Sequence, residues 1–108
     1  MPYTNGFSWT GSLRRHFKDH RHDVLSLGIT TEAEYLAWAD NFVGGPIATG
    51  ETLECLRPSG DRVRYNPITD EFGVLDTTTG VIRTFWVLQG SKADNLAFYH
   101  KQCGRTFP

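Results

Sequence analysis

The chain has 108 residues, near the usual size of one folding domain and long enough to bury a modest core. Hydrophobic residues make up 39% and charged ones 21%, with three Trp, four Tyr and seven Phe, a composition that excludes intrinsic disorder. The net charge of −1 announces no nucleic-acid partner by itself, and no apolar run approaches the roughly 18 residues needed to cross a bilayer, so no membrane insertion is expected.

The opening "MPYTNGFSWTG" lacks the basic and apolar regions of a cleavable signal, so none is expected there. Leu13, Phe17, His20 and Val24 then recur at helical spacing, which predicts a helix from Ser12 to about Arg21 with His20 on its inner stripe. Arg14, Lys18 and Arg21 fall on another face. In "TTEAEYLAWADNFVGGP", Thr31 and Glu34 form a capping box and Tyr35, Trp38, Ala39 and Phe42 make one stripe; Gly44, Gly45 and Pro46 end this second helix. After a loop to about Gly50 the period becomes alternating. The turns "RPSGDR", "NPITDE" and "TTTG" divide it into strands near Thr52–Leu56, Arg62–Tyr65, Phe72–Asp76 and Val81–Leu88. Short loops make neighbours antiparallel, giving a four-stranded meander. Val63 and Tyr65 should face one way and Arg62 and Arg64 the other, and Ile82, Thr84 and Trp86 should oppose Arg83 and Phe85. "SKADNLAFYHKQC" spaces Leu96, Tyr99, His100 and Cys103 as a short closing helix. The expected fold is α+β: N-terminal helices on an antiparallel β-meander with a short C-terminal helix, in one domain over residues 1–108 with its core at about 12–103.

Charge is distributed unevenly. Five acids and no Lys or Arg lie between Val24 and Leu56, whereas Arg14, Arg15, Lys18 and Arg21 precede that stretch and Arg57, Arg62 and Arg64 follow it. Folding could bring the two basic clusters together. Cys55 and Cys103 fit neither a dense disulfide framework nor a zinc pattern of paired cysteines, and the sequence leaves open whether they meet.

"SLRRHFKDHRHD", Ser12 to Asp23, holds three of the four histidines and four of the eleven basic residues. His16 and His20, four apart, could bind zinc from adjacent helical turns, but Phe17 stands where the metallopeptidase pattern has glutamate, and only Asp23 or His22 offers a further ligand. Glu32, Glu34 and Asp40 read as cap and surface charges rather than a paired-carboxylate hydrolase site. A metal-free ribonuclease matches the residue types more closely. It must take a proton from the 2′-OH, protonate the 5′ leaving oxygen and stabilise charge on phosphorus, which suits histidine with Lys or Arg around it. An aromatic such as Trp86, two residues from Thr84, could stack on an unpaired base. Each residue also has an ordinary reading: His20 as a half-buried core histidine, Trp86 and Phe85 as sheet packing, and the arginines as solvated faces.

The runs "LRRHFKDHRHDVLSLGI" and "LECLRPSGDRVRYNPITDEFGVLDTTTGVIRTFWV" resemble C-terminal toxin domains of bacterial polymorphic and contact-dependent growth inhibition systems. More distantly they are similar to colicin D-like nucleases, within the barnase-like, EndoU-like and RelE-like ribonucleases. The resemblance covers about Leu13 to Cys103. It implies Phe17, Lys18 and His20 as the Phe, phosphate-contacting basic residue and acid–base histidine of that family, and Thr84 and Trp86 as the hydroxyl and Trp that line its cleft. Asp19 stands as an extra residue between Lys18 and His20, and "VLSLG" replaces the family's aromatic–Gly turn.

On this resemblance the chain is expected to be an antibacterial toxin domain, a metal-independent endoribonuclease cutting the tRNA anticodon loop to a 2′,3′-cyclic phosphate. His20 is the expected general base or acid, with His16 and His22 as candidates for the second proton transfer. Lys18, Arg15 and Arg64 are expected to stabilise phosphate charge, with Arg83 as a further RNA contact. Thr84 is expected to bond the phosphate or orient His20, and Trp86 to stack on a base. No cofactor or metal is expected. The expected partners are tRNA and a cognate immunity protein that covers the basic cleft with acidic side chains, on a monomer or in a 1:1 complex. Such domains travel as the tail of a larger secreted protein from producer cell to target-cell cytoplasm. A metal-dependent DNA nuclease toxin and a non-catalytic binding module are the alternative readings.

Overall fold

In a computed structural model that describes residues 2–47 and 51–104, the first helix, α1, runs over Thr10–Val24. It lays Leu13, Phe17 and the fully buried Val24 on the core, the stripe read from the sequence. A 3-10 turn at Leu25–Leu27 ends at Gly28, whose φ of 82° is the left-handed conformation that glycine adopts without penalty. Helix α2, Glu32–Gly44, starts with the expected capping box: Glu34 N–H donates to Thr31 Oγ1 at 3.1 Å and Thr31 N–H donates to Glu34 Oε1 at 3.0 Å. The end of the expected loop up to Gly50 lies outside the described residues.

Four strands follow: β1 Leu53–Leu56, β2 Asp61–Tyr65, β3 Glu71–Asp76 and β4 Val81–Val87. They pair antiparallel in the order β1-β2-β3-β4, and α3, Lys92–Cys103, closes the fold. The α+β class is as expected, with helices on both sides of the sheet. Tyr35, Ala39 and Val43 of α2 and Val24 of α1 pack against Leu75, Ile82 and Phe85 on one face, while Tyr99 and Phe98 of α3 cover Val63, Tyr65, Phe72 and Val74 on the other. Glycine at position 73 lets α2 approach closely, since a Cβ there would stand 2.4 Å from Val43 Cγ1.

Two expectations about side-chain direction need correction. Ile82 lies in the same core as Phe85, opposite Trp86 rather than beside it. The register slips between Val74↔Thr84 and Leu75↔Ile82, leaving Arg83 as an extra residue on β4, and such a bulge reverses the alternation. Arg62 and Arg64 do face away from Val63 and Tyr65, but not toward solvent. Arg62 Nη2 donates to Val43 O at 2.7 Å, and Arg64 Nη1 donates to Phe42 O at 3.0 Å and to Gly45 O, so both cap the C-terminal carbonyls of α2.

Cys55 on β1 and Cys103 at the end of α3 are joined in a disulfide with their Cα atoms 5.9 Å apart. The outer side of β4 is also occupied. Asn5 N–H donates to Gly80 O at 2.7 Å, and Ile82 N–H donates to Gly6 O at 2.8 Å.

Candidate functional site

Helix α1 runs beside β4, where its inner stripe meets aromatic side chains from both ends of the chain. His20 stacks on Trp86 with ring centroids 5.2 Å apart and planes 25° apart. Trp86 is in turn held edge-on by Phe98 of α3 at 6.1 Å and Phe72 of β3 at 6.4 Å. One turn back, His16 packs on Phe7 at 4.9 Å, and its ring centre lies 6.5 Å from that of His20.

The partners of the two imidazoles fix which nitrogen is free. His16 Nδ1 lies 2.9 Å from Ser12 O, and a carbonyl only accepts, so Nδ1 donates and Nε2 is left over. His20 Nδ1 lies 3.1 Å from Asp23 Oδ2, and the carboxylate likewise accepts. The His20 and Asp23 side chains are 24% and 13% exposed, so the pair is sheltered without being sealed from a substrate. The second oxygen of Asp23 accepts from Val87 N–H at 3.1 Å, tying α1 to β4 next to Trp86. Beneath the site, Tyr35 donates its hydroxyl to Phe85 O; burial pushes its phenol above the ordinary tyrosine range and the Asp23 charge adds to this, so Tyr35 stays neutral.

Of the residues singled out in the sequence, His16, His20 and Trp86 come together, although Trp86 is far from the histidines in the chain. Thr84 shares Trp86's side of β4 by alternation and is half-buried, but no hydrogen bond joins it to His20 among the described residues; Asp23 orients that ring instead. Lys18 does not meet His20. Positions two apart point to different sides of a helix, and Lys18 is exposed on the solvent side, as are Arg15 and His22. Arg15, Lys18 and Arg21 make no ion pair among the described residues, while Arg14 reaches Glu32 only at 4.0 Å. The outer face of α1 thus carries these four cations, with exposed Asp19 among them.

The other two arginines are occupied. Arg64 is 6% exposed, and besides capping α2 it donates Nε–H to Glu54 Oε1 at 2.7 Å. Its guanidinium belongs to the interior of the fold. Arg83 donates to Asp61 Oδ1 at 2.8 Å and lies 3.4 Å from Asp76 Oδ2; the Asp61 hydrogen bond raises its pKa further, against a smaller effect of burial. Asp61 also pairs with Arg57 at 3.4 Å, so Arg83 belongs to a charged network on β2 and β4.

Asp23 is the residue that the sequence reading missed, having weighed it only as a metal ligand. The signal was its place three residues after His20 on the same helix face. Among the described residues, no three His, Cys, Asp or Glu side chains are grouped to hold a metal ion, and no helix is long and apolar enough to cross a membrane. Comparison with protein-family models finds no match, and comparison with curated proteins likewise finds none.

Proposed function

We propose that this chain is an antibacterial toxin domain that acts as a metal-independent endoribonuclease on tRNA. The observation that carries the reading is the pair His16 and His20, one helical turn apart, with His20 stacked on Trp86. Transfer of phosphorus from the 5′-oxygen to the 2′-oxygen needs one group to take the 2′-OH proton and another to protonate the leaving oxygen. His20 serves as the base through Nε2, its Nδ1 being occupied, and His16 as the acid through its own Nε2. Their spacing lets a phosphate stand between them. Half-buried Trp86, beside His20, is the platform for a splayed base next to the cut. Bond exchange at phosphorus closes a 2′,3′-cyclic phosphate and releases a 5′-OH, with no water required in that step.

The cations play a different part from the one the sequence suggested. Arg15, Lys18 and Arg21 hold the flanking phosphates of a long strand on the outer face of α1, giving affinity rather than transition-state contact. The same face is the surface an acidic immunity partner would cover in a producing cell. Delivery into a target-cell cytoplasm, as the tail of a larger secreted protein, completes the proposal.

The test is brief induction of the domain under tight repression, with total cellular RNA run on a denaturing gel beside a His20→Ala control. Discrete fragments of tRNA size that form in EDTA and vanish in the variant are the expected result. Fragments that persist in His20→Ala overturn the assignment of the base. Cutting that needs a divalent metal favours a different nuclease, and intact RNA in healthy cells favours a binding module.

A further inference from the structure

We infer that Asp23 is a positioning residue for the reaction proposed above, acting through His20. The inference rests on that reading for its chemistry but on the geometry for its substance. The carboxylate has two oxygens with two different duties. Oδ2 accepts from the imidazole Nδ1 at 3.1 Å, and Oδ1 accepts from the backbone N–H of Val87 at 3.1 Å. A proton on Nδ1 leaves the Nε2 lone pair as the only basic site of the neutral ring, so the first contact sets which nitrogen can take the 2′-OH proton. The second fixes β4 one residue beyond Trp86, and so holds the Trp86 ring against the imidazole whose proton Asp23 controls. A single side chain therefore couples the tautomer of the base to its distance from the stacking platform. Both contacts are sheltered, with Asp23 13% exposed, so solvent competes weakly with either.

Asp23→Asn separates the two duties. The amide keeps the size of the carboxyl group but offers one acceptor and one donor. Val87 N–H can only donate, so it selects the amide oxygen, and the NH2 group is turned toward His20 Nδ1. That nitrogen must then accept, which moves the ring proton to Nε2 and removes the base. Asp23→Glu restores a carboxylate at altered reach.

The experiment reads the tautomer of His20 directly, by the nitrogen-15 chemical shifts of its ring in the free protein, alongside RNA cleavage by the same samples. The wild-type protein should show the Nδ1–H form and Asp23→Asn the Nε2–H form. The variant should keep its melting behaviour and lose cleavage by about 10²-fold or more, the scale of losing a group that orients a catalytic imidazole. Asp23→Glu should recover part of that loss.

A wild-type Nε2–H tautomer, an unchanged tautomer in Asp23→Asn, or full cleavage by that variant would each overturn the inference. The wild-type spectrum decides the matter even if the variant fails to fold. Because the spectrum needs no substrate, a chain that cuts no RNA but shows the Nδ1–H form and the switch would sink the nuclease reading and leave the placement of the proton by Asp23 standing.

Discussion

Reducing the Cys55–Cys103 bond should remove a large part of the stability of this chain. The bond closes a loop with a sequence separation of 48, and in the loop-closure account a cross-link of that span restricts the unfolded chain by about 4 kcal/mol at 25 °C. Domains of this size are stable by only about 5–15 kcal/mol, so the loss is a substantial fraction of the whole. It should fall first on α3. The C-terminal end of that helix is held by the bond and by Arg57, which donates to Gln102 O at 2.8 Å and to Gln102 Oε1 at 2.7 Å. Urea unfolding followed by tryptophan fluorescence should show the midpoint falling by about 2 M on adding reductant, taking a denaturant slope of about 2 kcal/mol/M. Thiol titration of the unfolded, unreduced protein should find none among the described cysteines, and the Cys55→Ser, Cys103→Ser double variant should match the reduced protein. If the bond is present and the oxidised and reduced midpoints coincide, the loop-closure reasoning is wrong for this fold.

Two further outcomes follow from the interior polar groups. Arg64→Ala strands the carbonyls of Phe42 and Gly45, while exposed Glu54 keeps Arg62 at 3.6 Å, and at about 1–3 kcal/mol for a buried unpaired group the loss should be on the order of 3 kcal/mol. Thermal melting checks this; an unchanged melt with weakened RNA binding would mean that Arg64 works at the surface after all. Burial raises the pKa values of Tyr35, Tyr65 and Tyr99, assisted at Tyr65 by its hydrogen bond to Asp70 and at Tyr99 by the Glu54 charge. A group raised on folding stabilises fully below its unfolded value, about 10 for tyrosine, and the stability it confers is lost as pH climbs above that. Near-ultraviolet absorbance should therefore show these three phenols ionising only as circular dichroism reports unfolding; smooth titration near pH 10 with the fold intact would refute it.

Where periodicity is the cause of structure, the sequence was readable. The stripe of Leu13, Phe17 and Val24 and the box of Thr31 and Glu34 mark α1 and α2, because apolar spacing and end-capping are local requirements. What was hidden depended on what lies across from a residue. Alternation says that Arg64 faces away from Tyr65, but not that α2 ends above it with open carbonyls. One extra residue at Arg83 leaves no local mark, yet it reverses the direction of Ile82. The meeting of Cys55 with Cys103 needs the whole tertiary arrangement. In the site, His16, His20 and Trp86 were named from residue type and resemblance. Lys18 had its role from the resemblance, while helical geometry alone sets it on another face from His20; the spacing of Asp23 signals its contact with His20, but its second contact appears only once β4 supplies Val87.

The covering of β4 has a consequence for how copies of the chain behave toward one another. An open edge strand is a template on which strands of other molecules can add. Here the backbone groups at the two ends of β4 are taken by Asn5 and Gly6 before α1 and by Asp23 within it. The remaining edge is β1, four residues long and carrying Glu54, and a short charged edge recruits poorly. By occupying that edge, the residues just ahead of α1 leave another molecule little open backbone on which to add a strand.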